Sequence, residues 1–432
     1  MKEINRQSLT YEAGTYGVYF ALTYAMITIF ALAIGASRTE IGIISAIPFI
    51  ALLLSQIPGL QLLQGFKRKF IIVAFDIIER ALWIGVGVLL IIGFKLNVVS
   101  FMVLLFLMTF NAGLVSPSFN SLFGDVISKP YREDVLSKRQ ILGSGLGIIA
   151  TLFGAYFLDL FPSDNFSGFG FLLIAGTLFG YLTIYFLSRI QEPMLKEDST
   201  QPLSRKLATT PRFKKLLIYM GVFNFAFMFN SPFITVFRIQ ELGVSNGFIL
   251  FLAAIGAVFT IFGSRHWAVI GKRFGDKSVQ VITTSVIAIT PLLNLLVPPD
   301  KALWLIPVEI IAYFFFAGVT LSGYNLFLGM SDSKHRATQT ALLNVVISIS
   351  LIIAPILAGI ISDEVILLGF GGSALVLVLG SVMRAFTLLF LLPIKEPQML
   401  EEEDHFDKVL MASLHFQHNG GLRTFKKLLH RG

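Results

Sequence analysis

Three stretches of this chain carry side chains that could bind or move charge. In FDIIERALW, residues 75–83, Asp76 and Arg80 are four apart with the acid first, and Glu79 directly precedes Arg80. On a helix that order puts acid and base on one face. Two carboxylates beside one guanidinium suit either a structural clamp or a proton or solute site. Glu309 is followed by Tyr313, Phe316, Thr320 and Tyr324, so a carboxyl heads one aromatic and hydroxyl stripe. Lodged in an apolar pocket, such a carboxyl is a candidate for proton exchange. Arg384 stands alone among apolar residues, either as a structural cation or as an anion ligand.

Neutral polar residues add to the set. Tyr16, Tyr19 and Thr23 lie on one side of their segment, Asn111 and Ser118 are seven apart, and so are Asn224 and Ser231. They outline the walls of a cavity, although each alone also suits a hydrogen bond between helices. Pro232, after Asn230 and Ser231, weakens its helix locally. No enzyme signature accompanies them. The six His show no HExxH or other ligand spacing, there is no phosphate-binding GxxxxGK[ST] loop, and cysteine is absent. No catalytic residue, cofactor or metal is expected, and an energy source would have to be an ion or solute gradient.

The elements that must hold these residues are membrane spans. Of 432 residues 55% are hydrophobic and only 14% charged, well below the charge of a soluble domain. Runs long enough to cross about 30 Å of hydrocarbon recur along the chain. They lack the alternation of barrel strands, leaving helices as the way to satisfy the backbone. The first half reads as spans near 14–35, 41–61, 70–93, 99–123, 140–159 and 168–189. The second reads as 213–237, 247–266, 278–297, 302–329, 338–362 and 369–393.

Of 34 Lys and Arg, only Arg38, Lys95, Arg238 and Lys301 fall in the loops opposite the N-terminus. That asymmetry orients both termini to the cytoplasm. The +8 net charge is this topology signal; no basic, aromatic-rich soluble face points to nucleic acid.

A polar phrase occurs twice: NSLFGDVISKPYR at 120–132 and NLFLGMSDSKHR at 325–336. IGASR at 34–38 resembles LGVSN at 242–246, and QGFKRK at 64–69 resembles RFGDKS at 273–278. The spans after the polar phrases end in Asp159 and Asp363. Two halves inserted the same way round make a parallel repeat. The fold class is an all-α polytopic membrane protein of twelve transmembrane helices in two parallel six-helix repeats. Its parts are a cytoplasmic N-terminus 1–13, bundles 14–189 and 213–393, a linker 190–212 and a cytoplasmic tail 394–432. Asp125, Arg132, Arg336 and Lys334 of the phrase are expected to form salt bridges when the cytoplasmic mouth shuts. The tail ends in a short basic amphipathic stretch suited to an anionic leaflet.

On this layout the chain resembles the major facilitator superfamily over about residues 10–394. The family's loop pattern, Gly-x-Leu-Ala-Asp-Arg-x-Gly-Arg-Lys, is matched by Arg273, Gly275 and Lys277, and by Gly65 and Lys67 in the first half. It departs at the Asp position, occupied by Leu62 and Lys272. The resemblance implies a cavity between the bundles that binds one small solute and is exposed to either side by rocking. Arg80, Arg273, Lys277 and Arg384 join the phrase residues as gating or salt-bridge candidates. The expectation is a monomeric secondary transporter of a small organic solute in the cell membrane, plasma or inner, with Glu309, Asp76 and Glu79 as proton-coupling candidates. An ion-independent uniporter and a non-transporting sensor or scaffold remain the alternatives.

Overall fold

A computed structural model describes residues 2–127, 131–161, 166–192, 210–331, 335–366 and 371–394. The first half holds α1 (Lys2–Leu22), α2 (Ile27–Ala33), α3 (Arg38–Gly65), α4 (Arg68–Ile91), α5 (Val98–Val126), α6 (Arg132–Leu158) and α7 (Ser167–Ser188). The second holds α8 (Pro211–Gln240), α9 (Asn246–Phe274), α10 (Asp276–Leu295), α11 (Leu305–Met330), α12 (Arg336–Glu364) and α13 (Gly372–Leu391). α1 and α2 form one span interrupted by a three-residue turn, which gives twelve spans among the described residues. Eleven are long and apolar enough to cross a membrane. The twelfth is α4, of similar length but carrying the buried Asp76, Glu79 and Arg80.

The repeat written in the sequence reappears in the packing. α1 lies against α6 and α7, α3 against α5, and α4 against α5 and α7; shifted by one half, α8 lies against α12 and α13, α9 against α11, and α10 against α11 and α13. The halves meet along α3 with α12 and, reciprocally, α6 with α9. Successive spans reverse direction, so Lys2 and Leu391 end on one face, here the terminal face.

The opposite face is closed by two equivalent latches. Asp363, at the end of α12, accepts from the Thr39 backbone N–H and hydroxyl at 2.8 and 2.7 Å, capping the start of α3. Asp159, just past α6, accepts from the Gly247 N–H at 3.1 Å and the Ser245 hydroxyl at 3.2 Å, capping the start of α9. Each carboxylate meets free N–H groups at the positive end of a helix from the other half. Only glycine permits the approach. A Cβ on Gly42 would stand 2.2 Å from the Pro355 carbonyl oxygen, and one on Gly247 would stand 2.3 Å from that of Ala155.

Three expectations from the sequence change. The first helix starts at Lys2, well before the hydropathy-based start at 14, because Leu9 is buried beside Ile72 and Glu12 pairs with Arg139. Arg238, expected in a loop, lies in the last turn of α8 and is buried. The span expected to end near 266 continues to Phe274 in α9, where His266 packs against Trp267 and Phe314.

Candidate functional site

The charged candidates inside the spans, Asp76, Glu79, Arg80, Glu309 and Arg384, collect in two buried clusters, one per half. In the first half the interruption of the first span is the organising feature. α1 stops at Leu22, the Thr23 hydroxyl donates to the Tyr19 carbonyl at 2.6 Å, and the turn Tyr24–Met26 redirects the chain. Tyr24 thereby reaches α4, where its hydroxyl donates to Glu79 Oε1; Tyr19 donates to the same oxygen at 2.6 Å. Arg80 Nη1 donates to Asp76 Oδ1 at 3.1 Å, the i,i+4 contact of the sequence spacing, and to Glu79 Oε2. The guanidinium lies 4.3 Å from the centre of the Tyr19 ring. Gly180 on α7 leaves room, since a Cβ there would stand 3.1 Å from Arg80 Cγ. All three charged side chains are buried. The cluster therefore sets two carboxylates against one cation in a low-dielectric interior, which balances electrically only when one proton is bound.

The second cluster surrounds a cavity of about 160 Å³ walled by α8, α10, α11 and α13. At its end nearer the latched face, Arg238 donates to Glu309 Oε2 at 2.6 Å and to Asn294 Oδ1 at 2.9 Å, a 1:1 ion pair with its remaining polar need met by an amide. Deeper along α13, Arg384 also lines the cavity. Its Nη1 donates to the Ile287 carbonyl at 3.2 Å, and its Nη2 to the Phe227 carbonyl at 3.0 Å and to Asn230 Oδ1. The Ile287 oxygen lacks its i+4 helical donor because residue 291 is proline, and it also accepts from the Thr290 hydroxyl at 3.0 Å. Phe227 and Phe316 stack at 4.7 Å beside the cavity, and Ser231, Thr235 and Tyr313 complete its wall.

The structure thus brings together Ser231, Glu309, Tyr313 and Arg384 in one cluster, and Tyr19, Asp76, Glu79 and Arg80 in the other. Four neutral candidates spend their side chains on their own helix. Thr23 does so as above, Asn111 donates to the Leu107 carbonyl, Asn224 to that of Met220, and Thr320 to those of Phe316 and Ala317. Tyr16 is exposed on α1, and Ser118 is fully buried without a partner for its hydroxyl among the described residues.

The repeated phrase works within each half. Arg68 donates to Asp125 at 2.5 Å, Ser121 at 3.0 Å and Glu192 at 3.0 Å, tying α4 to α5 and to the chain beyond α7. In the second half Asn325 donates to Asp276 at 3.0 Å, tying α11 to α10 at the equivalent place. Arg273 lies 5.1 Å from the Phe274 ring, and Lys277 sits in the first turn of α10. Arg132 and Arg336 open α6 and α12, but their side chains fall outside the described residues, as do Lys334 and the tail from 395. Sequence reasoning missed Arg238, Asn294 and Tyr24 as site residues. Asn294 lies four residues past Thr290 on one face of α10, a spacing that could have flagged it. Tyr24 needed the helix break, for which no sequence signal stands out.

A family model described as the Major Facilitator Superfamily matches residues 13–330. Among solved structures, the nucleoside transporter NupG is similar with a TM-score of 0.71 at 12% identity, covering 90% of this chain and 100% of that one. A bacterial homologue of the iron transporter ferroportin in an inward-facing state gives 0.69 at 10% identity, covering 91% and 98%. The inward-open xylose transporter XylE from E. coli gives 0.67 at 13%, covering 95% and 100%. At these identities the likeness is one of fold. No curated protein matches the sequence.

Proposed function

Because the chain belongs to the Major Facilitator Superfamily, we propose that it is a secondary transporter carrying a small organic solute across a membrane by alternating access. The observation that carries this reading is the pair of latches related by the repeat. They join the halves at one face through a few hydrogen bonds and close backbone contacts, a junction that can part without unfolding either bundle. With the termini cytoplasmic, as the Lys and Arg distribution supports, the latched face is the outer one and the conformation is closed to the outside.

Proton coupling is assigned to the first-half cluster. Glu309 is matched one-to-one by Arg238, whereas Asp76 and Glu79 share Arg80, so a proton bound there is required for neutrality. Gain and loss of that proton during the cycle would couple transport to a pH gradient.

The chain has no cysteine, so spin labels can be placed cleanly. One pair, at Leu160 and Glu364, reports the latched face, and another, at Phe66 and Lys272, reports the terminal face. A solute found by thermal-shift screening should lengthen one distance while shortening the other, and should enter proteoliposomes. A chain that binds the solute, moves neither pair and gives no flux is a sensor, and the transporter reading fails. Glu79→Gln is expected to abolish accumulation driven by a pH gradient while leaving solute exchange; unchanged accumulation removes the cluster from coupling.

A further inference from the structure

Arg384 is 2% exposed in the middle of a membrane span, and no carboxylate lies within salt-bridge distance of it among the described residues. Its three acceptors are two carbonyls and an amide oxygen, all neutral. Among the described residues its Nε has no hydrogen-bond partner, and neither has the Asn230 amide nitrogen nor the Ser381 hydroxyl beside it. The other two charges on the cavity wall, Arg238 and Glu309, cancel each other. The cavity therefore carries one uncompensated positive charge in a medium where an unpaired ion is costly and commonly marks a ligand path.

We propose that this cavity binds a compact organic monoanion, an aryl or short-chain carboxylate, with the carboxylate paired to Arg384 and the apolar part held by Phe227, Phe316 and Tyr313. The proposal rests on the transporter reading for its biological meaning but not for its test. Charge selects the class. A cation would meet the surplus positive charge, a neutral solute would leave it uncompensated, and a dianion such as a phosphate monoester would replace one imbalance with another. Size narrows it further. At about 160 Å³ the cavity is close to the roughly 150 Å³ that admits benzene and well under the roughly 300 Å³ of drug-sized sites. Shape agrees, because the stacked Phe227 and Phe316 offer planar apolar surface beside the guanidinium, itself 4.6 Å from the Phe227 ring centre.

The test uses radiolabelled benzoate and its neutral isostere benzamide on the purified full chain in detergent. Wild type should bind benzoate saturably, with benzamide competing at least about tenfold more weakly. Arg384→Gln should abolish binding. Because that variant could also lose its fold, Asn230→Asp provides the decisive arm. It places a carboxylate of the same shape on the atom that already accepts from Arg384, so the protein should melt at or above the wild-type temperature yet bind benzoate at least about tenfold more weakly. Absence of benzoate binding by wild type, equal competition by benzamide, or undiminished binding by a folded Asn230→Asp protein overturns the proposal. Flux in proteoliposomes separates the two ideas. Bound benzoate that is never carried leaves the site standing and removes transport. Flux of a neutral solute through a protein that ignores benzoate does the reverse.

Discussion

Arg80 is the residue on which the first-half cluster depends. Removing it strands two buried carboxylates, whereas removing Asp76 leaves Arg80 still paired with Glu79. Loss of one partner from a buried ion pair costs about 3–5 kcal/mol, so Arg80→Gln should lower the melting temperature sharply and Asp76→Asn should barely move it. Equal melting temperatures for the two variants would contradict the assigned pairing. A second single-residue effect lies outside the spans. Glu241, just past α8, is 3.8 Å from Arg38, and burial lifts its pKa above the usual 4.5 against the pull of that guanidinium. The fold therefore accommodates the protonated carboxyl better than the ionised one. The ionised form is unfavourable above the lifted value, and that penalty is relieved as pH falls toward 4.5. Glu241→Gln should raise the melting temperature at pH 7.5 and change it little at pH 4, and a lowered melting temperature at pH 7.5 would contradict this.

At the scale of elements, the two latches and the glycine contacts beneath them set the balance between open and closed. Removing a helix cap costs about 1 kcal/mol, so Asp159→Ala with Asp363→Ala should weaken the closed state by about 2 kcal/mol, or roughly thirtyfold in population. Gly247→Val should do so more strongly, because its side chain begins where the Ala155 carbonyl already stands. Distance distributions across the latched face test both, and an unaltered closed fraction in the double variant would show that the caps are bystanders. The twelve spans, their pairing into halves and even the equivalence of Asp159 and Asp363 were legible in the sequence, because hydropathy and repetition survive without tertiary context. The break at Thr23 was not, since a hydroxyl turning back on its own helix leaves no compositional trace. Nor was the burial of Arg238. A basic residue at the end of an apolar run looks like a loop boundary until Glu309, 71 residues on, is seen opposite it. The contact between Arg384 and the carbonyl that Pro291 leaves without its helical donor likewise joins two helices across 97 residues of sequence, a meeting that no local pattern encodes.

For the whole molecule, an even number of spans and the skew of Lys and Arg predict that Lys2 and Ile394 lie on the same side of the bilayer. Single cysteines at those two positions should both react with an impermeant maleimide only from the cytoplasmic side; labelling from opposite sides would undo the topology. The unequal buried charge of the two halves has a consequence at this scale. If the first half takes the proton and the second the monoanion proposed above, a turnover carrying both moves no net charge. A membrane potential contributes about 2.3 kcal/mol per elementary charge per 100 mV, and such a cycle would neither draw on it nor be held back by it. Uptake clamped at different voltages with potassium and valinomycin should then follow the acidity difference alone, leaving this carrier indifferent to the electrical half of the protonmotive force.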